Sequence, residues 1–371
     1  MNKKINISII GTRGYPYVYS GYETFVKQLS ERLVLKYCNV TVYCHKGLFK
    51  TRPKEIKGIK LVYIPTIETK TLSQPIHSFL SIIHVCFSNT DVVLVVNSAN
   101  GPFGMITKLF KIPAVINVDG LEWLRPKWKG FGSIYFKWAS KMATIFYDQI
   151  INDSEEMRKV YLNLFKKDSK VIAYGANIRK SKNIDLITTF NINKREYYLV
   201  VGRLIPDNNA DLIIKGFLKS NSKKKLVIVG DVPYKDSYAS NLKNIVDKRL
   251  IFTGYVKDQN LLAELYHNCY VYIHGHEFGG TNPSMIKAMA CGSSILALET
   301  SFNREMLQNK KYRIYFTKSI SSIKNKIEFL DCNNKIVRNY RNNSVKGVTK
   351  KYNWDFITNE YYIIFNKLIN L

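Results

Sequence analysis

The chain has 371 residues, of which 56 are lysine or arginine and 28 are aspartate or glutamate, so its formal net charge is +28. Hydrophobic residues make up 46% of the chain, which excludes a disordered protein, and this length predicts two packed domains. The six cysteines form no CxxC pair, which disfavours a disulfide framework or zinc site and predicts reduced thiols in a cytoplasmic protein. No signal peptide or run of about 18 apolar residues is recognisable, so we expect no membrane-spanning helix.

The first half of the chain alternates Val- and Ile-rich runs with helical patterns. Continuous apolar runs are typical of strands that helices cover on both faces. Such runs predict strands at 5–10, 40–44, 60–64, 91–96, 114–118, 148–152 and 170–174. Between the first two of these strands, apolar residues at helical spacing predict an amphipathic helix over 23–37.

The same pattern restarts after a polar stretch at 178–196. Further strands are predicted at 197–202, 226–230, 250–254, 270–274 and 294–298. Repeated strand–helix units imply parallel sheets, so we expect an α/β fold of two doubly wound, Rossmann-like domains facing across a cleft. The expected boundaries are a first domain at 1–177, a linker at 178–196, a second domain at 197–351 and a C-terminal helix at 352–371 that packs back on the first domain.

The loop after the first strand has only two nearby glycines, Gly11 and Gly14, so the dinucleotide-binding pattern GxGxxG is absent. The loop leads to a helix that begins near Tyr22, and helix N-termini bind anions or sugar hydroxyls well. Glu23 lies in the first helical turn, where its charge suits the helix dipole. Capping and ligand binding both remain open for this residue.

A basic and aromatic segment follows the fifth predicted strand. Asp119 stands at the strand end, where ligand-binding residues of open α/β sheets are found. Beyond it, tryptophans alternate with cations: Trp123, Arg125, Lys127, Trp128, Lys129, Lys137, Trp138 and Lys141. This composition is typical of anionic membrane interfaces, although at least one tryptophan is expected in the core.

Two motifs in the second half point to a diphosphate. Arg203 follows the strand at 197–202, where a guanidinium can grip a pyrophosphate with two hydrogen bonds. In HGHEFGGTNPSMIKAMACG (274–292) a glycine loop separates a strand from a helix that Pro283 begins. We expect the loop amides of Gly279, Gly280 and Thr281 to point at the diphosphate, and Glu277 to accept hydrogen bonds from sugar hydroxyls.

Several other chemistries are disfavoured by missing motifs. No DxD pair, P-loop, GxSxG elbow or HExxH pair occurs, so a nucleotide-sugar enzyme of this sequence is expected to work without the usual carboxylate-held Mg²⁺. His274 and His276 lie on one strand face without further ligands, which predicts a loop-fixing role and no metal. Nucleic-acid binding rests on net charge alone, because no recognition motif supports it.

Five motifs in order resemble glycosyltransferase family 4, of GT-B fold. They are GTRGYPYVYSGYETF (11–25), VDGLEW (118–123), IAYGAN (172–177), VVGRLIPDNN (200–209) and HGHEFGGTNPS (274–284). More narrowly they resemble the rhamnosyltransferase-like subgroup of bacterial capsule and O-antigen biosynthesis. The resemblance implies metal-independent sugar transfer with retention, with the nucleotide-sugar donor on the second domain, the acceptor on the first and no further cofactor.

The resemblance also implies roles for individual residues. The catalytic residues would be Asp119, Arg203 and Glu277. Donor binding would involve Gly14, Arg203, Glu277, Gly279, Gly280, Thr281, Asn282 and Lys287. Acceptor binding would involve Tyr15, Gly21, Glu23, Glu122 and Trp123.

The sequence departs from the family pattern at two places. Lys287 stands where members usually carry a second glutamate that accepts hydrogen bonds from the ribose, and the usual spacing from Glu277 leads to Met285. A lysine that usually follows the arginine is replaced by Asn208 and Asn209, which the narrower subgroup shares.

The sequence therefore predicts transfer of L-rhamnose from dTDP-rhamnose to a lipid-linked oligosaccharide, by a protein peripheral on the inner face of the plasma membrane. A UDP- or GDP-hexose is the alternative donor. A catalytically silent GT-B scaffold that binds sugar or partner enzymes is the alternative from another class, and a GT-B sugar epimerase is a further one.

Overall fold

The fold is described from a computed structural model over residues 4–17, 21–67, 69, 72–125, 128, 130–232, 236–308 and 314–370, with Lys350 described by its backbone alone. The chain divides into two compact units. Unit 1 comprises residues 1–174 together with 354–371, and unit 2 comprises residues 175–353. None of the described helices is both long enough and apolar enough to cross a membrane.

The elements of unit 1 alternate along the chain between strands and helices. They are β1 (Asn6–Ile10), α1 (Gly21–Leu35), β2 (Asn39–His45), β3 (Glu55–Ile56), β4 (Ile59–Ile64), α2 (Ser73–Cys86), β5 (Val92–Val96), α3 (Gly104–Leu109), β6 (Ala114–Val118), α4 (Phe131–Phe146), β7 (Gln149–Asn152), α5 (Glu155–Phe165) and β8 (Lys170–Val171). Unit 2 repeats the alternation. Its elements are β9 (Tyr197–Val201), α6 (Ala210–Leu218), β10 (Lys225–Val229), α7 (Ser237–Lys243), β11 (Leu250–Gly254), α8 (Gln259–Asn268), β12 (Val271–His274), α9 (Pro283–Ala290), β13 (Ile295–Leu298), α10 (Ser301–Met306), β14 (Ile314–Phe316), α11 (Ile320–Cys332) and α12 (Asn334–Lys351), and α13 (Trp354–Ile369) then returns to unit 1.

Each unit contains one sheet. In unit 1 the strand order is β3-β4-β2-β1-β5-β6-β7-β8, and only β3 pairs antiparallel. In unit 2 the order is β11-β10-β9-β12-β13-β14, and every pair is parallel. Residues 92–96 and 114–118 are buried along their whole length, as expected for central strands between two helical layers. The predicted α/β fold of two Rossmann-like sheets is confirmed.

The chain order decides which helices share a face of the unit 1 sheet. The crossovers through α2, α3 and α4 all advance towards the β8 edge, whereas α1 connects β1 to β2 in the opposite direction. Since parallel crossovers are right-handed, α2, α3 and α4 form one layer and α1 lies on the other face. Helix α3 contacts both α2 and α4, and α13 contacts α1.

The C-terminal helix α13 completes the core of unit 1. Its buried side chains include Trp354, Tyr361 and Phe365. The ring of Phe25 on α1 lies 5.4 Å from that of Tyr361 and 6.5 Å from that of Trp354, centroid to centroid. The amphipathic C-terminal segment thus packs against unit 1, because its apolar face contacts α1.

The polar stretch at 178–196, predicted as a linker between domains, is instead part of unit 2. The buried carboxylate of Glu264 on α8 accepts hydrogen bonds from Ser181 Oγ at 2.6 Å, from Lys182 N at 2.5 Å and from Asn183 N at 3.0 Å. The sequence could not reveal this anchor, because Glu264 lies about 80 residues further along the chain. The predicted strand at 170–174 is likewise shorter than expected, with only Lys170 and Val171 in the sheet.

Candidate functional site

The unit 2 motifs meet at the carboxyl ends of two adjacent strands. Strands β9 and β12 are neighbours in the sheet, so the residues that follow each of them lie together. Gly202 and Arg203 from β9 line a small pocket with Gly275 and His276 from β12. Arg203 is exposed, so its guanidinium is available to a ligand at this edge of the sheet.

Two buried asparagines fasten these strand ends to one another. Asn208 Nδ2 donates to the carbonyl of Arg203 at 2.7 Å, and Asn209 Nδ2 donates to the carbonyl of Gly275 at 2.8 Å. Glu277 N also donates to the carbonyl of Asp207 at 3.1 Å. The asparagines that replace the family's lysine therefore hold the backbone on which Arg203 and Glu277 stand, a role that the sequence did not reveal.

Gly275 is required by the closeness of these two loops. A Cβ at this position would lie 2.3 Å from the carbonyl oxygen of Asn208 and 2.8 Å from Ile213 Cδ1. Any side chain would therefore push the loop after β12 away from the loop after β9. Close approach of the backbones is what brings Arg203 and His276 into one pocket.

The two histidines of the HGHE motif stack on each other. Their ring centroids are 4.6 Å apart with an interplanar angle of 10°. His274 is fully buried, its Nδ1 lies 2.9 Å from Tyr272 Oη, and burial lowers its pKa to about 3. His274 thus supports the loop as a neutral ring, while His276 reaches the pocket. His276 was not among the predicted site residues, although its spacing of two from His274 was a signal.

Glu277, predicted to orient the donor sugar, forms an ion pair. Its Oε2 accepts a hydrogen bond from Lys318 Nζ at 2.6 Å, and both side chains are partly exposed. Exposed pairs of this kind contribute little to stability, at most about 1 kcal/mol. The carboxylate therefore remains able to exchange Lys318 for a ligand hydroxyl, and Lys318 adds a cation that the sequence analysis did not include.

The glycine loop leads into α9 as its spacing predicted. Gly280 and Thr281 are buried, and Asn282 is the N-cap residue of the helix. Asn282 Oδ1 accepts hydrogen bonds from Ser284 N at 3.0 Å and Ser284 Oγ at 2.7 Å. Asn282, a predicted donor-binding residue, thus uses its side chain to cap the helix that presents the loop.

Lys287 on α9 has a second cation as its neighbour. The side chain is half-buried, and burial together with the nearby Arg179 guanidinium lowers its pKa. Arg179 is held close to the end of α9, where its amide donates to the carbonyl of Ala290 at 3.2 Å. Met285 is fully buried, so it cannot take the place of a ribose-binding glutamate.

In unit 1, Asp119 belongs to a network of tyrosines at the end of β6. Tyr174 Oη lies 2.8 Å from Asp119 Oδ2 and 3.0 Å from Asn117 Oδ1, and Tyr22 also hydrogen-bonds the Asp119 carboxylate. Burial raises the pKa of Asp119, and these hydrogen bonds oppose the rise. Asn117 Nδ2 in turn donates to Tyr361 Oη at 2.7 Å, so α13 supports the same network.

Tyr15 and Gly14, two predicted ligand-binding residues, are packed into unit 1. Tyr15 is 1% exposed and its hydroxyl donates to Glu31 Oε1 at 2.7 Å. Gly14 has φ +121°, and a Cβ there would lie 2.7 Å from Cys44 Sγ. The buried side chain of Tyr15 therefore exposes no surface to an acceptor. Gly14 allows the loop to pass close to β2.

Gly21 begins α1, and Glu23 lies in its first turn. Glu23 is buried, and its Oε1 lies 3.4 Å from the backbone nitrogen of Arg13. This contact joins the first turn of α1 to the loop after β1, and it decides between neither of the two roles that the sequence left open.

The basic and aromatic segment divides into buried and exposed parts. Trp123 is buried against the rings of Tyr161 and Phe165, so this predicted acceptor residue belongs to the core. Glu122 Oε1 pairs with Arg125 at 2.9 Å and its Oε2 accepts from Trp128 Nε1 at 2.8 Å. Trp138 remains exposed on α4. Lys127 and Lys129 lie outside the described residues.

Within the described part of the chain, no cluster of three or more His, Cys, Asp or Glu side chains is placed to hold a metal ion. The cations and amides of unit 2 instead offer hydrogen bonds to an anion. The tyrosine network of unit 1 offers hydroxyl and carboxylate groups.

Two family models match the chain, one in each half. Residues 187–346 match the family described as Glycosyl transferases group 1, and residues 4–177 match a domain of unknown function, DUF1972. An uncharacterized glycosyltransferase of Methanocaldococcus jannaschii is 27% identical over 252 residues. The match covers 65% of this chain, and the chain spans 62% of the length of that relative.

Solved structures of similar fold cover almost the whole chain. Sucrose-phosphate synthase from Thermosynechococcus elongatus has a TM-score of 0.81 at 14% identity, covering 99% of this chain and 100% of that one. HepE of Anabaena, solved in complex with UDP, has a TM-score of 0.78 at 14% identity, covering 98% and 100%. The expected GT-B fold is confirmed, because the chain has the fold of these proteins. The match of residues 187–346 to a glycosyltransferase family model agrees with the expected enzyme class.

Proposed function

We propose that the protein is a retaining, metal-independent glycosyltransferase that moves L-rhamnose from dTDP-rhamnose to a lipid-linked oligosaccharide in cell-surface polysaccharide synthesis. The observation that carries the proposal is the pocket in unit 2 where Arg203 and His276 meet beside the glycine loop. HepE, of the same fold, was solved with UDP and with UDP-glucose, which supports a nucleotide-sugar donor here.

The charge distribution at this pocket suits a leaving diphosphate. Arg203 and Lys318 supply positive charge, and the loop before α9 supplies backbone amides at a helix N-terminus. Such groups act most strongly where charge develops in the transition state. Glu277, whose backbone N–H donates to the carbonyl of Asp207, orients the donor sugar by accepting hydrogen bonds from its hydroxyls.

The reaction is balanced without a metal or an enzyme nucleophile. The acceptor hydroxyl oxygen bonds to the anomeric carbon as the bond from that carbon to the diphosphate oxygen breaks. The hydroxyl proton passes to an oxygen of the departing dTDP, and Arg203 stabilises the negative charge left there. Asp119, held by Tyr22 and Tyr174, orients the acceptor on unit 1.

Two alternatives make different predictions for ligand binding. A UDP- or GDP-hexose transferase would share every feature above, because the contacts that select the base and the sugar are not among them. A silent scaffold is favoured by one observation, the cation Lys287 beside Arg179 where a ribose-binding carboxylate is usual. Under that alternative Lys287→Glu would create turnover, whereas under our proposal it lowers an existing rate.

A thermal-shift panel with dTDP, UDP, GDP, ADP and their common sugar conjugates tests the proposal. A ligand at about 100 times its dissociation constant stabilises by about 2.7 kcal/mol, which corresponds to roughly 5–10 °C for domains of this size. We expect the largest shift from dTDP-rhamnose. A larger shift with UDP or GDP would mean that the donor is a UDP- or GDP-sugar instead of dTDP-rhamnose. The absence of a shift from every nucleotide would contradict the proposal that the protein is a glycosyltransferase.

A further inference from the structure

Three helices of unit 1 expose large apolar side chains on one layer of the sheet. Helix α4 exposes Phe131, Ile134, Trp138 and Ile145, whose spacing places them along one stripe of the helix. Helix α3 and its end expose Met105, Leu109 and Phe110, and helix α2 and its end expose Phe79, Leu80 and Phe87. Phe131 is 92% exposed and Leu109 78% exposed, so these side chains are not partly covered core residues. We refer to these ten residues as the apolar layer.

The apolar layer is continuous because the three helices are packed side by side. Phe87 and Phe110, at the ends of α2 and α3, have ring centroids 5.5 Å apart. Lys108 Nζ on α3 donates to the carbonyl of Ile145 on α4 at 3.2 Å. Since α2, α3 and α4 lie on the same face of the sheet, their outward stripes form one surface. Surfaces of this kind mark interaction sites on soluble domains.

The charged side chains on the helices of the apolar layer are basic. Exposed lysines stand beside it at positions 108, 111, 137 and 141. The sequence contains no aspartate or glutamate at 69–90, 97–118 or 123–147, the stretches that hold the three helices. The helices that carry the apolar layer therefore bear lysines and no carboxylates of their own. The complementary partner is therefore anionic as well as apolar.

We propose that the apolar layer docks unit 1 onto an anionic lipid bilayer, with Phe131, Ile134 and Leu109 entering the headgroup boundary. Lysines at the rim face lipid headgroups, and Trp138 lies at the depth where indoles settle. A bilayer supplies diffuse negative charge and hydrocarbon together, which matches helices that expose both lysines and large apolar side chains. This proposal rests on the proposed function, and it adds the surface through which the protein reaches a lipid-linked acceptor.

Vesicle sedimentation without any nucleotide or acceptor tests the docking surface separately from catalysis. The full chain is mixed with phosphatidylcholine vesicles that contain or lack 30% phosphatidylglycerol. We expect clear binding to the anionic vesicles and weaker binding to the neutral ones. Each lysine near an anionic surface contributes about fivefold to partitioning, so Lys137→Gln with Lys141→Gln is expected to weaken anionic binding by roughly 25-fold.

A second variant removes the apolar contacts and keeps the charge. Phe131→Ser, Ile134→Ser and Leu109→Ser together are expected to weaken binding by more than about tenfold on anionic vesicles. These side chains are exposed, so the melting temperature should stay near that of the native chain. The matched control is Val246→Ser with Lys248→Gln on unit 2, where an exposed apolar residue and an exposed lysine lie close together in sequence. We expect the control to bind like the native chain.

Three outcomes would overturn the proposal that the apolar layer docks onto a bilayer. One is that the native chain binds neither vesicle, and another is that both surface variants bind as tightly as the control. The third is a dimer in sedimentation velocity that the serine variant dissociates, since a second copy of the chain would then cover the apolar layer. A nucleotide thermal shift that persists in any of these cases leaves the transferase proposal intact.

Discussion

Individual residues at the unit 2 pocket divide into those that carry charge to a ligand and those that fix the backbone. Arg203 is exposed at the strand end, whereas Asn208 and Asn209 are buried and satisfy carbonyls of the two loops. Because Arg203 is exposed and the two asparagines are buried, substitutions at these positions should have different effects. Changes at Arg203 should alter the chemistry alone, and changes at the asparagines should alter the fold of the loops.

Arg203→Ala is expected to lower kcat/KM by about 10²–10³-fold, because it removes one preorganised group that stabilises the departing diphosphate. The melting temperature of the protein without ligand should stay within a degree or two, since the side chain is exposed. Steady-state rates of nucleoside diphosphate release provide the measurement. Lys215→Ala, an exposed cation on α6 paired with Asp211, serves as the control. A loss of less than about threefold would exclude Arg203 from the reaction.

At the scale of single elements, the strand β12 carries a buried imidazole that links unit 2 stability to pH. Burial lowers the pKa of His274 from an ordinary value of 6.5 to about 3. Between these values the unfolded chain binds a proton that the folded chain does not, so unfolding becomes easier as the pH falls. The contribution is fully present above pH 6.5 and is lost progressively towards pH 3.

The expected loss from His274 at pH 5.0 is about 2 kcal/mol relative to pH 7.5. In His274→Leu, the difference in unfolding free energy between these two pH values should therefore shrink by about that amount for the unit 2 transition. Urea unfolding followed by circular dichroism at both pH values gives the difference, which cancels any constant cost of the substitution. An unchanged pH dependence would mean that His274 is protonated in the folded protein or reached by water.

Across the whole molecule, the chain order makes unit 1 depend on residues that follow unit 2. Truncation after residue 353 removes α13, including the buried Trp354, Tyr361 and Phe365. Burial of each such side chain contributes about 1.5–3 kcal/mol, so the loss is comparable to the total stability of a domain. We expect the truncated chain to lose ordered unit 1 while unit 2 stays folded.

Limited proteolysis can follow the truncated chain, with residues 175–353 expected as the resistant fragment. The nucleotide thermal shift should persist in that fragment, because the pocket at β9 and β12 lies within unit 2. Asp355→Ala, which breaks the exposed Arg32–Asp355 pair, is the control and should change stability by less than about 1 kcal/mol. Equal protease resistance of both units after truncation would contradict the assignment of α13 to the unit 1 core.

The sequence by itself determined which segments are buried strands and which strand ends carry the motifs. Runs such as 92–96 and 197–201 are apolar at every position, and that pattern is local, so it is legible without the fold. The adjacency of Arg203 and the HGHE loop was not predicted, because β9 and β12 are neighbours in the sheet but not in the chain.

Only the tertiary structure decided what each side chain touches. Tyr15 and Trp123 looked available for a ligand, yet Glu31 takes the phenol of one and Tyr161 and Phe165 enclose the indole of the other. The Glu277–Lys318 pair joins residues 41 apart, and the apolar layer collects three helices that the chain separates. Burial and pairing depend on which distant faces the sheet brings together, and no local pattern carries that information.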